Sequence, residues 1–299
     1  SKNTDPCQLW ISAENTANPV TFDAATPFNI SARPRLNDSV YWQIPAGSWA
    51  TVGEAGADQR STDIAQLVQA LVNRNDWNTG NSMVFLIWGS GTREAESQDG
   101  SPSGAPKLVI QYLEVKNLEA QVSAPEDDLE EYIPGPGQTQ TVGALDAGSS
   151  DLELGSETAG NTAQQLVGVR FRDLNIPKGA AIQSAYLQFQ VDATAKNTDP
   201  CNIWISAQDA GNPVTFDAGT PFNISARPRL NDSIYWPIPA ASWGTVGAAG
   251  PDQRSTDIAE LVQALVNRPD WAEGQSMVFL LWGQGTREAE SQDGSPAGA

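Results

Sequence analysis

The chain has 299 residues, 36 acids against 17 bases and no histidine, for a net charge of −19. The missing histidines exclude Ser-His-Asp and Cys-His nucleophilic sites, His-ligated zinc and ordinary histidine acid–base chemistry. The charge makes phosphate backbones and anionic lipid poor partners, so nucleic acid is not expected, and no apolar run reaches the roughly 20 residues that span a bilayer, so neither is membrane insertion.

In chain order, short β-branched and aromatic runs predict strands over 9–11, 40–44, 83–88 and 108–112. Between the second and third, Ile64, Leu67, Val68, Leu71 and Val72 make one apolar helical face, with Ser61, Thr62 and Asp63 ahead of it for a cap and an acid in the first turn. Further strands are predicted over 166–171 and 185–191, the latter alternating apolar and polar, with a turn at Ile176, Pro177, Lys178 and Gly179 between them. The same helix returns between Ile258 and Val266. Cys7 and Cys201 are too few for a disulfide framework and read as buried free thiols.

That return is part of a complete duplication. Residues 1–105 recur at 195–299 with a constant offset of 194, identical at 83 of 105 positions, without insertion or deletion. Self-similarity at a fixed period marks an array. The expected organisation is a module over 1–115 lacking its N-terminal strands, a short joint at 116–120, and a second copy over 121–299 lacking its last strand. Many short strands with one docked helix per unit make the expected fold class all-β, as β-sandwich modules in tandem.

Several segments carry a resemblance. They are Asp127-Asp128-Leu129-Glu130-Glu131, Ser149-Ser150-Asp151-Leu152-Glu153-Leu154, Val167-Gly168-Val169-Arg170-Phe171 and Ile176-Pro177-Lys178-Gly179-Ala180. Asn223-Ile224-Ser225-Ala226-Arg227-Pro228, Asp252-Gln253-Arg254-Ser255 and Arg287-Glu288-Ala289-Glu290 through Pro296 complete the set. Together they resemble the jelly-roll β-sandwich modules of large secreted and surface proteins of bacteria, of the DNRLRE-like or carbohydrate-binding-module-like kind. The resemblance implies a repeated stalk, an adhesive unit or an appendage to a secreted enzyme, at an extracellular or cell-surface location. It also implies a calcium ion joining first and last strands.

The residues themselves offer three candidate sites. Between Gln121 and Gly160 there are nine acids and no base. Calcium takes six to eight hard oxygens, so Asp127, Asp128, Glu130, Glu131, Asp151 and Glu153, completed by Asp293, are candidate ligands, against the plainer reading of a solvated acidic face. Ten tryptophans fall five to each copy. Trp10, Trp42 and Trp88 sit inside strand runs and are expected to pack within or across the sheets. Trp49, Trp77, Trp243 and Trp271 follow turn-like residues and are the candidate platforms for polysaccharide. Asn29, Asn37, Asn223 and Asn231 stand in Asn-x-Ser/Thr sequons and are candidate glycan acceptors. The paired carboxylates Glu94/Glu96 and Glu288/Glu290 lie beside Arg93 and Arg287, where an ion pair is the simpler use than glycoside hydrolysis. The leading expectation is a non-enzymatic structural segment, a filament, stalk or adhesin, whose partners are neighbouring copies of the module end to end. The alternative is a pair of carbohydrate-binding modules from a secreted polysaccharide-acting enzyme.

Overall fold

The computed structural model describes residues 5–160, 162–197, 199–240 and 242–298. The chain divides into two compact units, Ser1–Glu114 and Val115–Ala299.

In the first unit, strands β1 (Cys7–Ala13), β2 (Val40–Ile44) and β3 (Phe85–Ser90) form an antiparallel sheet in the order β2-β1-β3. Helix α1 (Ala65–Val72) lays Leu67 and Leu71 against Ile11, Ala13 and Val40. The Asp63 carboxylate accepts the Ala65 N–H at 2.8 Å, satisfying one of the orphan donors at the helix start. Residues 108–112 form no strand and are largely exposed, contrary to expectation. A run of such composition needs a ladder partner and a surface to cover, and neither is beside it among the described residues.

The second unit holds strands β4 (Asp128–Tyr132), β5 (Leu145–Asp146), β6 (Asp151–Thr158) and β7 (Thr162–Leu174), then β8 (Cys201–Ala207) and β9 (Ile234–Ile238). Helix α2 (Ala259–Val266) and strands β10 (Gln275–Gln284) and β11 (Thr286–Glu290) follow. All pairings are antiparallel, in the order β11-β6-β7-β10-β8-β9, with β4 on β7 and β5 on β4. The chain is thus all-β in class, with one short α-helix in each unit among the described residues.

Strands β7 and β10 are buried on both faces. Val167, Val169, Phe279 and Leu281 meet Leu152, Leu154, Ile203, Trp236, Trp243 and helix α2 on one side. On the other, Leu166, Val278 and Leu280 meet Leu129, Phe216 and Ile224. Successive strand residues point to opposite faces, so near-continuous apolar runs at these places follow from two-sided burial. Residues 185–191 make isolated bridges, Gln188 with Arg254 and Val191 with Ala289, and scattered backbone hydrogen bonds such as Phe189 N–H to the Gln253 carbonyl at 3.1 Å, rather than the continuous strand expected. Both cysteines are free and buried; Cys7 Sγ lies 3.2 Å from the Ser90 carbonyl and Cys201 Sγ 3.5 Å from that of Leu154.

Candidate functional site

The pairing of β6 with β11 sets Glu153 directly opposite Glu288, and strand alternation puts Asp151 on the same face as Glu153. One carboxylate oxygen from each of Asp151, Glu153 and Glu288 lies within 4.8 Å of the others. Glu130 reaches in from β4, and its Oε1 accepts the Glu153 backbone N–H. Lys196 supplies the cluster's cation, with Nζ 3.0 Å from both Glu153 Oε1 and Glu288 Oε1. The second oxygens of Glu130 and Glu288 are buried without a hydrogen-bond partner. Like charges opposed across a ladder are destabilising, and one ammonium does not balance four carboxylates.

The electrostatics record that imbalance. Burial, then the Glu153 charge, raises the Glu130 carboxyl well above the usual carboxylate range. Burial and the charge of Asp151 push Glu153 up to about 7, against the lowering effect of Lys196. The Lys196 ammonium is desolvated, yet Glu153 and Glu288 outweigh that and hold its pKa above the ordinary lysine value. A buried set of oxygen donors with surplus negative charge can hold a metal ion, and donors of this type suit a hard cation.

The other expected ligands lie elsewhere. Asp127, fully buried, meets Arg170 Nη1 at 3.1 Å, Arg172 Nε, and the Thr215 hydroxyl at 2.6 Å. Burial alone would raise its pKa; the Arg172 and Thr215 hydrogen bonds and the Arg170 charge win and lower it. Its oxygens are spent on arginine, so Asp127 is an ion-pair residue and not a ligand. Glu131 falls on the opposite face of β4, where its Oε2 accepts the backbone N–H groups of Ile224 and Ser225 at 2.9 and 2.8 Å. Asp128 Oδ2 accepts the Gln292 N–H at 2.8 Å; burial, with Asp293 and Asp127 adding negative charge, pushes it up to about 7. Asp293 is exposed. Glu288, which sequence reading left out of the expected ligand set, joins this cluster. It had been paired with Arg287, whose guanidinium instead donates to the carbonyls of Thr286 and Pro239 at 2.6 and 2.8 Å.

Two of the four expected tryptophan platforms are corrected. Trp243 and Trp271 are buried, their indole N–H groups donating to the Asp252 and Ile176 carbonyls at 2.9 and 3.0 Å; such rings cannot stack on a sugar. Trp49 and Trp77 are half-buried. Two further aromatic rows lie on the strands, the first exposed at Trp10, Tyr41 and Trp88, the second exposed at Tyr235 and half-buried at Trp204 and Trp282. Trp10 stands between Tyr41 and Trp88 across β2-β1-β3, and Trp204 between Tyr235 and Trp282 across β9-β8-β10. The Trp10–Tyr41 and Trp204–Tyr235 centroids are 5.1 and 5.2 Å apart, tilted 52° and 45°. Arg35 and Arg229 lie 4.6 and 5.0 Å over Trp88 and Trp282.

Asn37 and Asn231 are exposed, whereas Asn29 and Asn223 use their side-chain oxygens to hold a loop. No helix among the described residues is long and apolar enough to cross a membrane. No protein-family model matches the chain, and no curated protein matches it.

Proposed function

We propose that the chain is a non-enzymatic structural segment of an extracellular tandem-repeat protein, a filament, stalk or adhesin. Its modules would be jelly-roll sandwiches of the DNRLRE-like kind, joined end to end and stabilised by calcium at Glu130, Asp151, Glu153 and Glu288. The observation that carries this reading is the repeat itself, with 83 of 105 positions identical. The two copies also reproduce individual contacts: the Trp49 and Trp243 indoles each donate to a carbonyl at 2.9 Å, and Arg74–Asp76 recurs as Arg268–Asp270. Near-identical units serve a device that supplies length, where each copy contacts only its neighbours. The apolar cluster between β6, β11 and the strands β7, β10, β8 and β9 supports a sandwich. Negative-stain imaging of the natural material will show beaded fibres; separate compact particles would overturn the reading.

A second reading, carbohydrate binding, is favoured by the aromatic rows. Each row places three aromatic side chains side by side on strands and adds an arginine over one of them, a surface suited to stacking on sugar rings. On this reading, soluble polysaccharide will quench tryptophan emission, and Trp204→Ala with Trp10→Ala will abolish the quenching. No response across neutral and acidic polysaccharides would remove it.

A further inference from the structure

The two copies share their sequence but not their surroundings. Ile224, fully buried in the second unit, corresponds to Ile30, 55% exposed in the first. Leu281, also fully buried, corresponds to Ile87 at 57%, and Phe216 at 2% to Phe22 at 48%. Trp243, Trp271 and Val266 are buried, while Trp49, Trp77 and Val72 are not. In the second unit every one of these residues is covered from residues 121–194. Leu129 and Leu166 cover Phe216 and Ile224; Leu152, Leu154, Val167, Val169, Leu187 and Phe189 belong to the cluster around Trp243 and Leu281.

The backbone repeats this contrast. β10 is paired on both edges, to β7 and β8, whereas β3, among the described residues, pairs only with β1 and is an edge strand. The loop N–H groups of Phe216 and Phe222 donate to the carbonyls of Glu126 and Gly143 at 3.1 and 2.7 Å, and that of Ile224 donates to the Glu131 carboxylate. Phe22, Phe28 and Ile30 stand at the corresponding places in the first unit, where the described residues hold no counterpart of those acceptors.

The first unit nevertheless keeps the shape that receives such a segment. Arg33 donates to the carbonyls of Val20, Thr21 and Asn29, as Arg227 does to those of Val214, Thr215 and Asn223. Phe28 and Phe222 share a left-handed backbone, with φ of 61° and 62°. A non-glycine residue held there in both copies shows a loop fixed by its own contacts, ahead of the segment it binds.

We infer that the β3 edge and apolar face of residues 5–105 form a receptor for a strand segment of the sequence type of residues 121–194, donated by a further copy of the repeat. The donor adds a strand to the open edge, as a peptide does in β-augmentation, and an edge left open and apolar is otherwise an aggregation template. The inference rests on the array reading above and names the surface by which one repeat would engage the next.

The test joins a second copy of residues 115–194 ahead of the full 299-residue chain, at the spacing by which residues 115–194 precede the second copy. Tryptophan emission will shift to shorter wavelength as Trp42, Trp49 and Trp77 are covered. Amide exchange at Phe22, Phe28 and Ile30 will slow by roughly a hundredfold or more, as these sites join a cooperative unit. Ile87→Asp will abolish both changes in the extended chain while leaving the 299-residue chain unaltered, because Ile87 is exposed there. Unchanged emission and exchange on extension would overturn the inference. Should the extended chain be insoluble, residues 115–194 added as a separate polypeptide to the 299-residue chain decide the matter by the same readouts. Separate particles in the natural material would defeat the array reading alone, since burial by the donor segment is measured independently.

Discussion

Asp127→Ala will lower the melting midpoint of the second unit by roughly 10 °C. Asp127 is fully buried, with Arg170 and Arg172 on it and the Thr215 hydroxyl donating to it. Deleting one partner of a buried pair leaves the other charge uncompensated, at a cost of about 3–5 kcal/mol. For a unit of this size each kcal/mol moves the midpoint by about 2–4 °C. Arg172→Ala will cost less, because Arg172 is partly exposed and Arg170 remains. Calorimetry separates this role from metal ligation, since the response of the Asp127 variant to calcium will match that of the unaltered chain. A midpoint within 2 °C of the parent would refute the ion-pair assignment.

The acidic cluster sets an opposite pH dependence. Glu153, and Asp128 beside the cluster, are raised to about 7 in the folded chain from ordinary values of 4.5 and 3.8, and burial raises Glu130 well above the usual carboxylate range. A carboxyl raised by folding stabilises the fold at pH below its unfolded value, and that stability is lost as pH climbs through the folded value. Asp127 is lowered, so its contribution is lost instead as the solution becomes strongly acidic. In EDTA the chain will therefore be most stable near pH 4–5 and will weaken between about pH 5 and 8. For Glu153 and Asp128 the loss is at most on the order of 3–5 kcal/mol each. Because Glu130 and Glu153 interact closely, the titration belongs to the pair.

Glu130→Gln keeps an acceptor for the Glu153 N–H and removes one charge from the cluster. It will flatten this decline and raise the midpoint at pH 8, whereas Glu126→Gln, on an exposed side chain, will do neither. Calcium at a hundred times its dissociation constant adds about 2.7 kcal/mol, or roughly 5–10 °C at pH 8, and the Glu130 variant will lose most of that gain. A midpoint independent of pH from 5 to 8, or of calcium in the parent chain, would count against the cluster as described.

The duplication and its helices were legible in the sequence because they rest on local signals: a constant offset, and apolar residues three and four apart. The edges of the sheets were not. Residues 108–112 have the composition of a strand, but a ladder needs a neighbour, and composition does not say whether one is present. The acids at 127–131 read as one cluster, yet strand alternation sends Glu130 and Glu131 to opposite faces, and only the fold brings Arg170 and Arg172 to Asp127. Glu288 joined the site through the register of β6 with β11, a pairing across more than a hundred residues that no local pattern encodes. The tryptophans misled for a related reason. Turn residues ahead of Trp243 and Trp271 suggested exposure, while the ring area made them the cover of the core.

The two cysteines give each repeat its own internal clock. Cys7 and Cys201 occupy the same place in the two copies, both buried and neither in a disulfide. Burial pushes the Cys201 thiol up to about 12, so at neutral pH it is neither ionised nor within reach of an alkylating reagent while the unit is closed. Labelling of each sulfur then records the moment its own unit opens. Mass spectrometry of the two tryptic peptides reads the openings separately in one sample. A sample heated in the presence of iodoacetamide would carry a written history of which unit had yielded first, without any probe being built into it.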